Sequence, residues 1–564
     1  MKTNKHVTRA ILIHSLGALL LLGSSMLVEA VTNFTTLHKF VGVEGDIPHG
    51  FLAQNRDGSL FGSTEGQSIN PTVFKITPAG VFSVLHTFNA APAKSTSPLI
   101  LGLDGNFYGT SGNGNLLGGT IFKMTPAGVI TVLHTFGSVL NDGFNMGGHF
   151  ANFGTGLIPP VQAPDGTLYG TTNSGGKNNS GIVYKLTPSG TYTILRHFTF
   201  SVTDGALPLA PLIIGKDGNL YGTTRVGGKP SASSGTVFRI TPTGAFKILH
   251  SFDATITDGG HQPNAPLVQG TDGNFYGTTK GSGVTVTQGN VFKITPSGVY
   301  TNLHRFDSAT AFAQGTLPTA GLVQGSDGNF YGATSAGGKA IPFGNYGVLF
   351  KITPQGAYTV LHTFNQPIDS SDPWQSLVQH TNGKLYGTTA IGLGGSVFSL
   401  DVGAKPFVLA QPSTGKVGGT VGLLGDFTGV TSVTFNGVNA SISGTGTTFR
   451  VATIPAGPAT GLIKINKPTG AISSLKPFLV QPTLTSFSPV SGAVGRAVIL
   501  TGRSLSQVTS IRFGGNKVVP KSLISMDNDN QLTVNVPIGA VSGKLTVTTS
   551  GGSATSATNF TVTP

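Results

Sequence analysis

The sequence predicts an all-β protein: a seven-bladed β-propeller closed by an N-terminal strand, followed by two immunoglobulin-like β-sandwiches. Three observations carry that expectation. Charged residues are only 10% of the 564-residue chain, against about 25% in ordinary globular proteins, which argues against helical bundles and coiled coils. The 83 Gly and 33 Pro recur at a fixed period, as turn residues do, rather than in low-complexity tracts. Three short motifs each return seven times between residues 33 and 403, at intervals that suit a propeller blade.

Residues 1–30 read as a secretory signal, with Lys2, Lys5 and Arg9 at a basic start, an apolar stretch from Ala10 to Leu22, and Val28-Glu29-Ala30 before the cut. Removing them takes away three positive charges and one negative, lowering the formal net charge from +13 to +11. Lys and Arg are dispersed with no run of five or more, so a solvated basic surface is expected and nucleic acid is not an expected partner. No second apolar run of about 18 residues comes later, so no transmembrane segment is expected after signal cleavage. The sequence sets no oligomeric state. With no Cys, disulfides, thiolate nucleophiles, Cys-ligated zinc and iron–sulfur clusters are excluded, and no cofactor is expected.

The propeller is expected over residues 31–403. Its clearest mark is Asp-Gly-Asn-Phe/Leu-Tyr-Gly-Thr, in full or varied form, starting at Asp57, Asp104, Asp165, Asp217, Asp272, Asp327 and Asn382. A second, Val-Phe-Lys-Ile-Thr-Pro-x-Gly, begins at Val73, Ile121, Val183, Val237, Val291 and Leu349 and survives in part at Val397. The third, Leu-His-x-Phe, begins at Leu37, Leu85, Leu133, Leu249, Leu303 and Leu361, with Leu195-Arg196-His197-Phe198 as a variant. Because the first Leu-His-x-Phe precedes the first Asp-Gly, the strand Phe34 to Phe40 is expected to complete the seventh unit and close the ring. Each unit reads as a four-stranded meander, with Asp-Gly turning the first strand into the second at positive φ, and Thr-Pro-x-Gly turning the third into the fourth as a type I turn.

Alternation on the fourth strand predicts that Phe246, Ile248, His250 and Phe252 share one face, as do Tyr358, Val360, His362 and Phe364. His38, His86, His134 and His304 recur there, one per blade on the outer rim, too far apart to ligate one ion at about 2 Å. They are expected to bond between blades, and no metal site is expected. The turn aspartates are equally scattered, so they read as turn formers rather than a calcium site. Lys75, Lys123, Lys185, Arg239, Lys293 and Lys351 read as blade-edge packing with exposed charged ends.

Both short turns lie at one end of the blades, so a binding site is expected among the variable loops at the other. The candidate ligand-binding residues are Phe144, His149, Phe150 and Phe153 in the longest loop, Phe343 and Tyr346 in another, and Trp374, the only tryptophan. No catalytic residue is expected, since paired carboxylates are the usual hydrolytic device and only Glu44 and Glu65 remain beyond the signal. Asp46, Asp142, Asp204, Asp258 and Asp372 recur between blades and read as Asx turns.

After Gly403 a new self-similarity appears at an offset of 77 residues. Val417 to Val421 with Thr431 to Gly437 parallels Val494 to Val498 with Thr509 to Gly515, which predicts two β-sandwiches over 404–481 and 482–564.

On these marks residues 33–403 resemble the GloVer-type repeat of secreted bacterial proteins. The C-terminal pair resembles IPT/TIG immunoglobulin-like domains through Ser488-Pro489-Val490-Ser491-Gly492 and Phe513-Gly514-Gly515, with Gln411-Pro412 opening a more divergent first copy. The resemblance implies an exported, extracellular or surface propeller and transfers no catalytic residue. The leading expectation is a non-catalytic binding or scaffold protein whose partner is a polysaccharide or another cell-envelope component. The alternatives are an extracellular carbohydrate-active enzyme using Asp204 and Asp258, and a purely structural envelope component. N-terminal sequencing of the exported protein should begin at Val31; retention of Met1 would rule out cleavage.

Overall fold

The computed structural model describes residues 33–564 except 49, 66–69, 89–94, 113–117, 145–156, 229–233, 254–259, 282–288, 307–310, 339–345, 366–368, 391–393, 458–459, 515–516 and 527. The expected secretory signal lies outside the described residues.

Seven antiparallel sheets, each ordered first to fourth strand, form the blades of a propeller. Blade 1 spans 53–87, blade 2 100–135, blade 3 161–197, blade 4 213–251, blade 5 268–305 and blade 6 323–363. Blade 7 takes three strands from 378–401 and its fourth from Asn33–Lys39, which pairs antiparallel with Ser396–Asp401. The ring closes as expected, and the closure gives blade 7 the same four strands as the others. First strands have two residues, and those of blades 1 and 2, and of 6 and 7, touch, which puts them where blades converge on the axis. The second strands are buried throughout, and fourth strands are half-exposed.

The repeated Gly of the first motif and Phe of the second are one cross-strand pair. Gly222 lies opposite Phe238, and a Cβ there would stand 2.6 Å from the Phe ring tip and 2.7 Å from Leu212. The ring covers the bare backbone, so both motifs repeat together.

Both turns are three-residue loops. In blade 6, Gly328 N–H bonds to Gly325 O at 2.9 Å and Gly356 N–H to Thr353 O at 2.9 Å. Only the Gly has positive φ, not the Asp as expected. Instead the Asp327 carboxylate accepts the Asn329 backbone N–H at 3.1 Å and the Tyr331 hydroxyl at 2.8 Å. Lys75 reaches Asp57 at 2.7 Å across the same end of blade 1.

The fourth strand departs from simple alternation. Its register slips at the Leu of Leu-His-x-Phe, as between the partners of Val237 and Phe238. This β-bulge re-aims the side chains beyond it. Phe246 packs back toward blade 3, whereas Leu249, His250 and Phe252 pack forward on blade 5, so the expected common face is not formed. The same slip sends Tyr358 backward and His362 forward.

The bulge creates a clasp at the outer rim, made by ring faces. His250 stacks on Tyr300 of blade 5 at 4.2 Å, and His304 on Tyr358 of blade 6 at 4.0 Å. His134 meets Tyr192, His362 meets Phe34 and His38 meets Phe82 in the same way. Blade 3 substitutes Arg196, stacked over Phe246 at 3.8 Å. The bonds from the ring edges go to acids in the next loop, as from His134 to Asp142 at 3.0 Å and His362 to Asp369 at 3.1 Å.

Near the axis a second clasp uses glutamine. Gln324 of blade 6 accepts the Thr271 N–H of blade 5 at 2.9 Å and donates to Gly328 O at 3.0 Å. Gln54, Gln162, Gln269 and Gln379 accept from their preceding blades likewise. Blade 4 has Ile214 at this position, opposite Pro164, which has no N–H to give.

Two β-sandwiches come after the ring, with the same strand order and separate cores. Their centres include Val433, Phe435 and Phe478 in the first and Ile511, Phe513 and Phe560 in the second. Thr414–Lys416 pairs parallel with Leu479–Gln481, and Ser491–Gly492 pairs parallel with Gly552–Val562.

A double-mutant cycle on His304→Ala and Tyr358→Ala should return a coupling of about 0.5–1.5 kcal/mol in urea unfolding. Additive single losses would show that the stacked pair does not join the blades.

Candidate functional site

The first sandwich occupies the turn face of the propeller. Arg56 lies over the Phe449 ring at 4.6 Å, and Thr448 donates its hydroxyl to Arg56 O at 2.9 Å. Phe407 N–H bonds to Thr381 O at 3.0 Å, Ser326 Oγ donates to Lys405 O at 2.9 Å, and Lys476 Nζ donates to Gln269 O at 3.2 Å. Turns of blades 1, 6 and 7 and the first strand of blade 5 are thus engaged, all of them at the turn face.

The loop face is built on a repeated strained device. Ile47, Leu207, Gln262, Leu317 and Asp372 all have positive φ, between 52 and 59°, and each precedes a proline. A left-handed non-glycine residue costs roughly 1–2 kcal/mol. Two backbone bonds hold it: Leu207 N–H to Ser180 O at 3.0 Å, and Arg225 N–H to Leu207 O at 3.1 Å. The proline packs on a glycine of the preceding blade, where only glycine fits. A Cβ on Gly235, at φ +92°, would stand 2.7 Å from Pro263 and 2.5 Å from Thr224 O.

Each such residue accepts the N–H of a residue just beyond the second strand of its blade. Those donors are Glu65, Arg225, Lys280, Ser335 and Ala390, at 3.1–3.2 Å. They form a collar of fixed backbone carrying dissimilar side chains. In blades 4 and 5 it carries cations. Burial pushes Arg225 below its ordinary pKa, and burial, then the Arg225 charge, pushes Lys280 down. In blade 1 it carries Glu65, raised to about 7 by burial and by Asp46.

At the junction of blades 6 and 7 the chain brings Tyr346, Asp372 and Trp374 together. Asp372 N–H bonds to Tyr346 O at 3.3 Å, and Trp374 N–H bonds to Asp372 O at 2.9 Å. Burial raises the Asp372 carboxyl to about 7. Both aromatics are partly exposed. Phe144 is elsewhere, paired with Ser174 and packed against the core between blades 2 and 3. His149, Phe150, Phe153 and Phe343 lie outside the described residues, as does Asp258. Asp204 is held by Arg196 at 2.9 Å, and Asp142 accepts from His134 and from Tyr192 at 2.7 Å, so both serve the blade joints. Among the described residues no group of three or more His, Asp or Glu is placed to hold a metal.

Sequence reasoning missed Arg225 and Lys280. The available sign was the position after Tyr-Gly-Thr-Thr, where the copies stop agreeing.

The Gloeobacter/Verrucomicrobia repeat matches residues 23–158 and 152–338, together more than half of the chain. The chain belongs to this repeat family. Beyond the repeats, an IPT/TIG domain matches residues 482–562. No curated protein matches the chain. Among solved structures, a surface glycan-binding protein from Prevotella bryantii is 17% identical, with 26% of this chain and 38% of that one covered and a TM-score of 0.21. A fungal alcohol oxidase in complex with copper is 12% identical over 94% and 99% of the two chains, with a TM-score of 0.41. A putative oxidoreductase (glucose dehydrogenase) from Thermus thermophilus is 14% identical over 65% and 99%, with a TM-score of 0.33. This chain thus spans little more than a third of the glycan-binding protein, and none of these overlaps transfers a ligand or a reaction to the repeat family.

Folded Asp372 keeps its proton to about pH 7, whereas its ordinary carboxyl value is 3.8. The folded state therefore binds more protons than the unfolded chain in that window, and stability falls as pH rises through it. Asp372→Asn removes this loss. Its melting temperature relative to wild type should climb from about pH 4 to about pH 7 and then level off, and a flat difference would show a solvated carboxyl.

Proposed function

We propose that the chain is an exported, non-catalytic binding protein that presents its loop face to a polysaccharide or another cell-envelope component. The two sandwiches, over 404–481 and 482–564, act as spacer or docking modules on the opposite side. The placement of Trp374 and Tyr346 beside Asp372, on the face away from the first sandwich, carries this reading. Flat aromatic rings offer apolar area at small entropic cost, and a rigid ring of blades holds them in place. No helix among the described residues is long and apolar enough to cross a membrane.

The raised Asp372 carboxyl favours a second reading, an extracellular carbohydrate-active enzyme with Asp372 as general acid. Measuring retention on polysaccharides and isolated cell envelopes together with released reducing ends or unsaturated products separates the two. Trp374→Ala should weaken retention by about thirtyfold or more, as for a tryptophan carrying about 2 kcal/mol of binding. Unchanged retention would remove this junction from recognition, and product release would establish the enzyme.

A further inference from the structure

We infer that the end of the second sandwich remote from the first docks on an anionic lipid bilayer, with two aliphatic turn tips entering the headgroup layer and the cations around them meeting its charge. The inference concerns a different surface from the loop face and does not depend on the ligand bound there.

Two tight turns of the same build form this end. Arg496 N–H bonds to Ala493 O at 3.0 Å and Ala540 N–H to Pro537 O at 3.1 Å, with Gly495 and Gly539 at positive φ in the third place of each. Val494 and Ile538 therefore stand at the second place, a corner where proline and polar residues are the usual choice. Both are exposed, Ile538 by 81%. The turns are tied to each other, Gly495 N–H to Val536 O and Val536 N–H to Arg496 O, each at 2.9 Å, so the tips are fixed in place. Val490 and Val541 are exposed on the adjoining strand ends. At the opposite end, where Gly551 packs against Val480 of the first sandwich, no loop carries an exposed aliphatic side chain among the described residues. The first sandwich has Ala456 and Ala459 in place of Ile538 and Val541, and Ser413 in place of Val490. The fold itself thus does not require these aliphatics.

The charge is distributed in the same way. Arg496 closes the first turn, and Lys517 reaches the second, its Nζ 3.3 Å from where a Cβ on Gly539 would stand. Lys521 begins the short segment Lys521–Leu523 that crosses between the sheets at this end. All three are exposed, and none forms an ion pair among the described residues. Asp527 and Asp529 are the only acids in residues 482–564. Asp529 accepts the Ser504 and Ser506 N–H groups at the opposite end, each at 3.3 Å, and Asp527 lies outside the described residues.

Exposed aliphatics ringed by unpaired cations match a lipid interface, where apolar burial and attraction to anionic headgroups add. A soluble polyanion would use the cations and leave the aliphatics in water. Protein hot spots favour Trp, Tyr and Arg, whereas this sandwich has no Trp or Tyr and buries Phe487, Phe513 and Phe560.

The test is flotation of the full exported chain with vesicles of equimolar phosphatidylglycerol and phosphatidylcholine, beside phosphatidylcholine alone, at low salt. The anionic vesicles should bind about tenfold more tightly or better. Lys517→Gln/Lys521→Gln should weaken that binding by about thirtyfold. Val494→Ser/Ile538→Ser, which keeps every charge, should weaken it by about tenfold with an unaltered melting temperature. Val43→Ser, at an aliphatic of the propeller that is 87% exposed, should leave it unchanged. Equal binding to both vesicles, or an equal loss with Val43→Ser, would overturn the assignment. Binding that dextran sulfate matches and that ignores Val494→Ser/Ile538→Ser would make this end a polyanion site and overturn lipid docking. Self-association lost with Ile538→Ser, without vesicle binding, would assign the tips to a second copy of the chain and overturn it likewise, as would binding to neither vesicle.

Discussion

The joint between neighbouring blades is the interaction on which the rest of the molecule depends. A blade of four short strands cannot bury its own faces, so each is stable only between two others. The fold meets that demand with two clasps at different radii. At the rim a bulge turns the fourth strand from backward-facing to forward-facing within a few residues, so one strand belongs to two joints. At the axis a glutamine amide spans the gap with one acceptor and one donor. Ring closure by Asn33–Lys39 matters because it supplies blade 7 with Phe34 for the preceding joint and His38 for the following one.

Function inherits its geometry from this scaffold. The strained residues before proline are tolerated because backbone bonds fix them, from two neighbouring blades at Ile47, Leu207, Gln262 and Asp372. The strain is therefore offset by the ring as a whole. That leaves the collar side chains free to differ: Arg225, Lys280, Ser335 and Glu65 share a backbone and nothing else. Repeated chemistry builds the ring, and unshared chemistry lines its loop face.

How much of this was legible in the sequence depends on which features repeat. The period of Asp-Gly and Thr-Pro-x-Gly, and the offset of Leu-His-x-Phe, revealed blade number, strand order and closure, because each motif is a local turn or pair. The bulge was hidden, since Leu249-His250 looks like ordinary alternation until the partner strand shows two residues opposite one. The histidines were recognised as structural, but their principal partners are rings about 50 residues further along, or at the far end of the chain for His362 with Phe34. On the candidate site, Tyr346 and Trp374 were visible as loop aromatics. Their meeting through Asp372 was not, because the left-handed turn before Pro373 has no glycine to announce it. Phe144 shows the converse: a loop aromatic whose neighbours make it core.

The joint between blades 1 and 2 lacks both clasps among the described residues. Ile130 stands where most following blades offer His an aromatic ring, and Leu101 stands where most other blades have glutamine. It is held instead by the stacked Phe61 and Phe107, 4.1 Å apart, and by Arg56, whose guanidinium bonds to Leu103 O at 2.8 Å while lying over Phe449. The same arginine thus serves as a splint across the least stitched seam and as an anchor for the first sandwich. The seam lies one blade away from the strand that closes the ring, and pulling the sandwich away from Arg56 would loosen it at the same stroke.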